Sequence, residues 1–310
     1  MQPWACKKDD SSSSEQSSRI VKQIDSLNGT TLLGQITFEY ESDHITKEYV
    51  LEYHEGVNTL DTITKHIFDY SDNQLSSITY SKESLIDWTP TGKIVCSYNN
   101  GLMTELMEYT YIQDDAWQID GKYTLTYKDG SLSEEDYYSY YAGDWILVMQ
   151  DNYAYTDGLV VESTIKLLNN GIMINNSKSE LEYSGTDISQ IINYDWDLSD
   201  WRTDSKVVYD YQGNNVVVTS YSYESGSWVP DSQTETYTFN ADGLVKSYTY
   251  MDPIQGTYTS DYTYESGKGN YRSLFPDLPK ALLKFLPAKS FIKIPSINLG
   301  NHKFLLLGSH

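Results

Sequence analysis

The feature that most constrains this chain is a repeat: an aromatic residue followed by turn chemistry returns roughly every 28 residues. The anchors are Tyr40, Tyr70, Tyr98, Tyr127, Tyr155, Tyr183, Tyr211, Phe239 and Tyr264. The residue two before each is usually apolar, as at Phe38, Phe68, Leu125, Leu181 and Tyr209, so each pair shares one face of a strand. Asp72-Asn73, Asn100-Gly101, Asp129-Gly130 and Asp157-Gly158 then supply residues that tolerate the positive φ of a tight hairpin. An aliphatic residue restarts the chain at Leu75, Leu102, Leu132, Leu159, Ile188, Val216 and Leu244. A second strand follows with its own pair, among them Ile78/Tyr80, Tyr109/Tyr111, Tyr138/Tyr140, Tyr194/Trp196 and Tyr221/Tyr223. A fixed period of this size marks a repeat architecture, here one β-hairpin per repeat.

The predicted fold is therefore all-β, a long antiparallel meander of about eight or nine hairpins. The opposite strand parity is Thr, Ser, Glu, Asp and Lys, so one face is expected to be apolar and the other wet. A sheet of about sixteen strands or more usually curls or closes, so a curled sheet or wide barrel with Tyr and Trp inside is the simplest solution, an extended, nearly flat array being the alternative. Three segments follow: residues 1–18 as leader and Ser-rich linker, 19–275 as the hairpin domain, and 276–310 as a basic, apolar tail. Arg19 to Leu27 fits one or two helical turns or a first edge strand. From Leu278 onward the tail holds five Lys (280, 284, 289, 293, 303) and no acid. It is expected to pack on the aromatic face of its own acidic sheet, since such a face must be buried against something, with binding to a membrane surface as the alternative for a basic amphipathic stretch.

Net charge is −22 and mean hydropathy −0.52, which argues against nucleic acid, whose phosphates need a basic footprint. The 29 Tyr and 7 Trp supply enough stacking surface to make a disordered body implausible. No apolar run is long enough for a membrane helix. Of the two cysteines, Cys6 lies in the leader and Cys96 at an inward strand position, which makes a disulfide between them improbable.

The start of the chain, Ala5-Cys6-Lys7-Lys8-Asp9-Asp10 before Ser11 to Ser14, resembles the mature start of lipoproteins from Bacteroidota. In those proteins a cysteine carries the lipid, which implies lipid attachment at Cys6. The body resembles the tyrosine-rich β-repeat lipoproteins of Bacteroidota and, more distantly, the YD-type repeats of bacterial surface and toxin-shell proteins. The motifs that carry this are Tyr-Lys-Asp-Gly-Ser-Leu (127–132), Tyr-Thr-Asp-Gly-Leu (155–159) and Phe-Asn-Ala-Asp-Gly-Leu (239–244). The resemblance implies an exported protein in the cell envelope, periplasmic or surface-exposed, touching membrane only through its lipid anchor.

Chemistry is harder to find. The chain has no Gly-x-Ser-x-Gly and no Cys with a plausible His partner, so no catalytic residue is nominated. His44, His54 and His66 lack metal-site spacing and read as solvated strand-end residues. Glu134-Glu135 and Asp114-Asp115 fall in or near expected loops, and acids are too abundant to single out a glycosidase-type pair. Turn chemistry explains the Asp/Asn-rich turns before Ca²⁺ does, so neither metal nor cofactor is expected. Trp88, Trp117, Trp145, Trp201 and Trp228 recur in the segments between hairpins, with Met173 in the missing slot. Connections run over the surface, so these indoles are the candidate ligand-stacking residues. The favoured function is a non-enzymatic binding or structural module of the cell envelope, with a polysaccharide or an envelope protein as partner. A carbohydrate-active protein using loop carboxylates and Trp, and a hydrophobic-ligand carrier, are the alternatives.

Overall fold

The computed structural model describes residues 18–54, 59–83, 87–114, 116–241 and 243–266. Eighteen strands run in chain order. They are β1 (Ser18–Leu27), β2 (Thr31–Glu41), β3 (His44–His54), β4 (Thr59–Ser71), β5 (Gln74–Glu83) and β6 (Trp88–Asn99). Next come β7 (Leu102–Gln113), β8 (Ala116–Lys128), β9 (Ser131–Tyr141), β10 (Asp144–Thr156), β11 (Leu159–Asn169) and β12 (Ile172–Ser184). The last six are β13 (Asp187–Asp197), β14 (Asp200–Gln212), β15 (Asn215–Glu224), β16 (Ser227–Phe239), β17 (Val245–Asp252) and β18 (Gly256–Ser266). Each strand pairs antiparallel with the next, and β1 pairs with both β2 and β18, so the meander closes into a barrel. Residues 19–27 are thus an internal strand, neither helical nor an edge. Closure satisfies both strand edges, which is how a long sheet escapes edge-to-edge association.

The even-to-odd connections are the Asp-Gly turns, with Asp129 at φ 54° and Gly130 at φ 83° as an example. They gather at one end, where Ser18 pairs with Ser266, so the described chain also starts and stops there. A round barrel of this strand number would leave an aqueous lumen. Here the inward residues near that end are buried on strand after strand, from Ile20 through Ile78, Ile191 and Val207 to Tyr262, and fill it.

Two sets of β-bulges shape the wall. On odd strands the register slips at Val21, Thr46, Ser76, Thr104, Ser133, Val161, Ser189 and Lys246. The anchor tyrosines answer this. The hydroxyls of Tyr40, Tyr70, Tyr127, Tyr155, Tyr183, Tyr211 and Tyr264 donate to the carbonyls of Ile20, Ile45, Met103, Leu132, Val160, Ile188 and Val245, at 2.5–2.9 Å. Each acceptor is the residue immediately before a bulge, where the ladder is interrupted and an inward carbonyl needs a donor. Strand β15 has no such bulge where it pairs with β14, and the anchor of the next strand is Phe239, which has no hydroxyl to give.

On even strands the ladder to the preceding strand skips Leu33, Ile63, Thr91, Asp120, Val148, Asn176 and Asp204, and β16 carries a wider irregularity at residues 231–233. Side-chain direction alternates strictly along a strand, so one inserted residue sends everything beyond it to the other face. This corrects the sequence expectation that the second-strand aromatics all point inward. Ile78/Tyr80 do, lying opposite Phe68 and His66. Tyr109/Tyr111, Tyr138/Tyr140, Tyr194/Trp196 and Tyr221/Tyr223 stand on the outer face, in register with Lys93, Lys122, Lys178 and Lys206. Beyond them the outer wall carries Glu39, Lys47, Asp69, Asp136, Glu180 and Asp210, which a lipid-facing apolar band would not. Segment 1–17, with Cys6, and the tail 276–310 lie outside the described residues, so the expected packing of the tail does too.

Candidate functional site

Two groups of residues remain after packing is accounted for: an inner polar lane and an outer aromatic rim.

The inner lane crosses the wall above the apolar floor. His66 and Glu48 face each other from β4 and β3, with Nδ1 3.0 Å from Oε1, and both are buried. The His66 ring meets Tyr80 edge-on at 5.0 Å. The expectation of a solvated His66 is therefore wrong. It follows Phe68 on the inward parity, and its polar partner arrives from a strand eighteen residues back, which spacing alone does not reveal. His44 packs against Tyr70, ring centroids 4.3 Å apart, and the His54 side chain lies outside the described residues.

Glu135 sits in β9, not in a loop, and is 1% exposed directly opposite Asp151 of β10, also 1% exposed. The Ser163 hydroxyl donates to Asp151 Oδ1 at 2.7 Å, while Glu135 Oε2 and Asp151 Oδ2 have no partner among the described residues. Burial pushes the Glu135 carboxyl well above its ordinary value, with Asp151 adding repulsion, and pushes Asp151 up to about 6. Two strands back, Glu108 is pushed up to about 7 by burial, against a hydrogen bond from Tyr137 that lowers it. Room for Tyr137 is made by Gly121, where a Cβ would come within 2.5–2.9 Å of the phenol. Farther round, Ser179 donates to Asn193 at 2.8 Å and Asn193 to Ser205 at 3.1 Å. Paired carboxyls of raised pKa are what an acid/base enzyme needs, but a substrate must reach them. These are sealed. A carrier is disfavoured on the same ground, because the inward side chains occupy the interior at this level. No group of three or more His, Cys, Asp or Glu among the described residues is arranged to hold a metal. Cys96 is a buried free thiol whose pKa burial pushes up to about 12, as inert as its inward position suggests.

The outer rim lies at the other end, where odd strands turn into even ones. Trp88, Trp117, Trp145, Trp201 and Trp228 open β6, β8, β10, β14 and β16, all half-buried on the outer face. Each of the last four meets an aromatic of the preceding strand: Tyr111–Trp117 at 5.2 Å, Tyr140–Trp145 at 4.8 Å, Trp196–Trp201 at 5.0 Å and Tyr223–Trp228 at 4.9 Å. A lysine from two strands back covers each indole: Lys65 over Trp88 at 4.6 Å, Lys93 over Trp117 at 5.6 Å, Lys122 over Trp145 at 4.7 Å, Lys178 over Trp201 at 5.7 Å and Lys206 over Trp228 at 4.7 Å. A cation over a ring face is a cation–π contact, and the lysine stem adds apolar cover. Strand β12 departs from the pattern at every position. Met173 replaces Trp, Gln150 replaces the lysine, and Lys166 and Leu168 replace the paired aromatics. The unit around Trp88 keeps the lysine and the indole but has Ser81 and Glu83 where the others carry aromatics.

Around it the turn tips are apolar and exposed. Leu198 and Ile254 are each 94% exposed, Tyr141 72% and Ile172 68%. Leu198 also holds a left-handed φ of 51°, a conformation that favours Gly or Asn. The sequence expectation of Trp inside the sheet is corrected at these five positions: the indoles stand half-buried on the outer face, at one end of the barrel. It missed the lysines because Lys and Trp are joined across three strands.

No protein-family model matches the chain, and none of the curated proteins does. Among solved structures, a porin-like protein from Bacteroides uniformis is 12% identical over 80% of this chain and 96% of its own, with a TM-score of 0.43. A DUF3836 family protein from Bacteroides vulgatus is 17% identical over 27% of this chain and 90% of its own, with a TM-score of 0.26. The Photorhabdus luminescens Tc holotoxin pore is 13% identical over 77% of this chain and 14% of its own, with a TM-score of 0.29.

Proposed function

We propose that this chain is a non-enzymatic binding module of the bacterial cell envelope, tethered through an acyl group on Cys6 and working through its outer aromatic rim. The observation that carries the binding half is the cost of the rim. Leu198 is placed in a left-handed turn at 94% exposure, where it gains nothing from its own fold. Ile254, Tyr141 and Ile172 are exposed at the same end as Leu198 and the half-buried indoles, and apolar surface gathered at one end supports a contact surface for another molecule. The tether reading rests on the Cys6-Lys7-Lys8-Asp9-Asp10 start and the Ser-rich stretch after it. Its geometry is consistent: Ser18 emerges at the Asp-Gly end, so a membrane-anchored leader leaves the rim at the far end, free to meet a partner.

Metabolic labelling with an alkynyl fatty acid tests the tether in a bacterium that expresses the full gene. Label on the protein that disappears in Cys6→Ala, together with membrane fractionation, is the expected result. A soluble, unlabelled protein would remove the anchor and the envelope assignment together.

A further inference from the structure

The rim has a chemistry specific enough to name what it takes. We propose that the outer units of β6, β8 and β10 form a platform for an extended, uncharged polysaccharide, an inference that rests on the binding half of the reading above. Trp88, Trp117 and Trp145 open alternate strands, each stepped about two residues along the wall from the next, so neighbours are about 12 Å apart. That is a ladder of flat rings with an even rise, matched to a polymer of repeating rigid units. The C–H face of a pyranose offers a ring-sized apolar surface to an aromatic, while its rim of hydroxyls needs donors and acceptors. Both are present. Asp87 and Asp144 adjoin Trp88 and Trp145 in sequence, and Asp87 Oδ1 already orients the Trp88 backbone N–H at 2.7 Å. The ammonium groups of Lys65, Lys93 and Lys122 lie over the rings as donors.

Charge selects among polymers. A chain of net charge −22 repels polyanions, and the lysines at these indoles are held over their rings. A bilayer surface fits less well, because Asp87, Asp144, Asp200 and Asp252 share the rim with its apolar tips. An uncharged glycan meets no such penalty. Gln150 of β10 with Lys166, Leu168 and Met173 of the β11–β12 hairpin breaks the ladder, leaving a run of three rings on one side and Trp201 and Trp228 on the other.

Affinity electrophoresis of the full chain in gels holding xyloglucan, galactomannan, hydroxyethyl cellulose or dextran, with polygalacturonate as the charged comparison, tests this directly. The expected result is retardation by at least one uncharged polymer, weakened at least tenfold in the double variant W117A/W145A and less in W201A/W228A, with W117Y/W145Y recovering part of it. Because alanine at a rim indole can unsettle the fold, the gain variant Q150K/M173W serves as a second arm. It completes the ladder and should tighten binding several-fold. Passage through every uncharged gel without retardation overturns the proposal. So does retardation by polygalacturonate alone, or retardation untouched by both W117A/W145A and Q150K/M173W. A blank gel beside intact labelling at Cys6 removes the glycan and leaves the tether standing; loss of the label with binding retained does the reverse.

Discussion

Glu108 and Asp151 keep their protons far beyond the usual carboxyl range, so pH acts on this barrel from the inside. Both side chains are buried on the inner face, and burial is the largest cause of each shift. Asp151 moves from 3.8 to about 6 and Glu108 from 4.5 to about 7. Folded pKa values above unfolded ones mean that the folded state binds protons more tightly. The stabilisation is then complete below pH 4 and is lost as pH rises through about 6 and then about 7. Each shift corresponds to about 3 kcal/mol, so about 6 kcal/mol of stability should drain away between pH 4 and 8, a large part of what an ordinary domain has. Glu135, raised in the same direction, adds to this. The exposed carboxylates Glu39 and Glu180, held low by Lys47 and Lys178, act oppositely but are screened by solvent. Urea titrations at half-unit steps from pH 4 to 8 read the slope through the midpoint. Asp151→Asn keeps an acceptor for Ser163 without the titration, so it should flatten the profile, as should Glu108→Gln with Tyr137. A wild-type midpoint that holds level or rises with pH, or variants that keep the wild-type slope, would refute the burial argument.

Other perturbations read single features. Tyr155→Phe deletes the hydroxyl that donates to the Leu132 carbonyl and should cost about 1 kcal/mol by urea titration, whereas Phe239→Tyr should gain nothing because β15 lacks the bulge that calls for it. Glu48→Ala should destabilise by about 3–5 kcal/mol, since it strands a buried His66, and a fall below 1 kcal/mol would mean that water reaches the pair. Gly121→Ala should displace the Tyr137 ring and cost about 1–3 kcal/mol, visible as lost near-ultraviolet dichroism. Leu198→Asn should stabilise the fold by about 0.5–1 kcal/mol by relieving a left-handed leucine, read as a raised urea midpoint.

Much of the architecture was legible because it repeats. Nine anchors from Tyr40 to Tyr264 each became the end of a strand, and the Asp-Gly pairs became the turns between them. Local chemistry decides both, and local chemistry is what a sequence displays. What stayed hidden depends on register. Nothing in Gln118-Ile119-Asp120-Gly121 announces that Asp120 is the extra residue, yet that residue turns Trp117 outward while Tyr123 points in. Glu135 looked like a loop acid beside Glu134 because strand residues are seldom acidic, and only its inward parity against Asp151 reveals the buried pair. The lysine caps were invisible for a similar reason, since Lys122 and Trp145 lie twenty-three positions apart in sequence and meet only across β9.

A single device links closure to the rim. A bulge sharpens local twist and bends the strand, and a set of them at one height on alternate strands curls a sheet that would otherwise extend. The same insertion reverses parity, so the part of each even strand beyond it presents to solvent the residues that would have lined the core. Trp117 and Ile119 therefore stand outside while Tyr123 and Leu125 stay inside, all at odd positions of one strand. A barrel built without the bulges at Thr91, Asp120, Val148 and Asp204 would put its indoles inward and have neither the curvature to close nor an aromatic rim to offer. The bulges thus account for what sequence periodicity alone leaves open: how a polar outer wall comes to carry a row of half-exposed tryptophans.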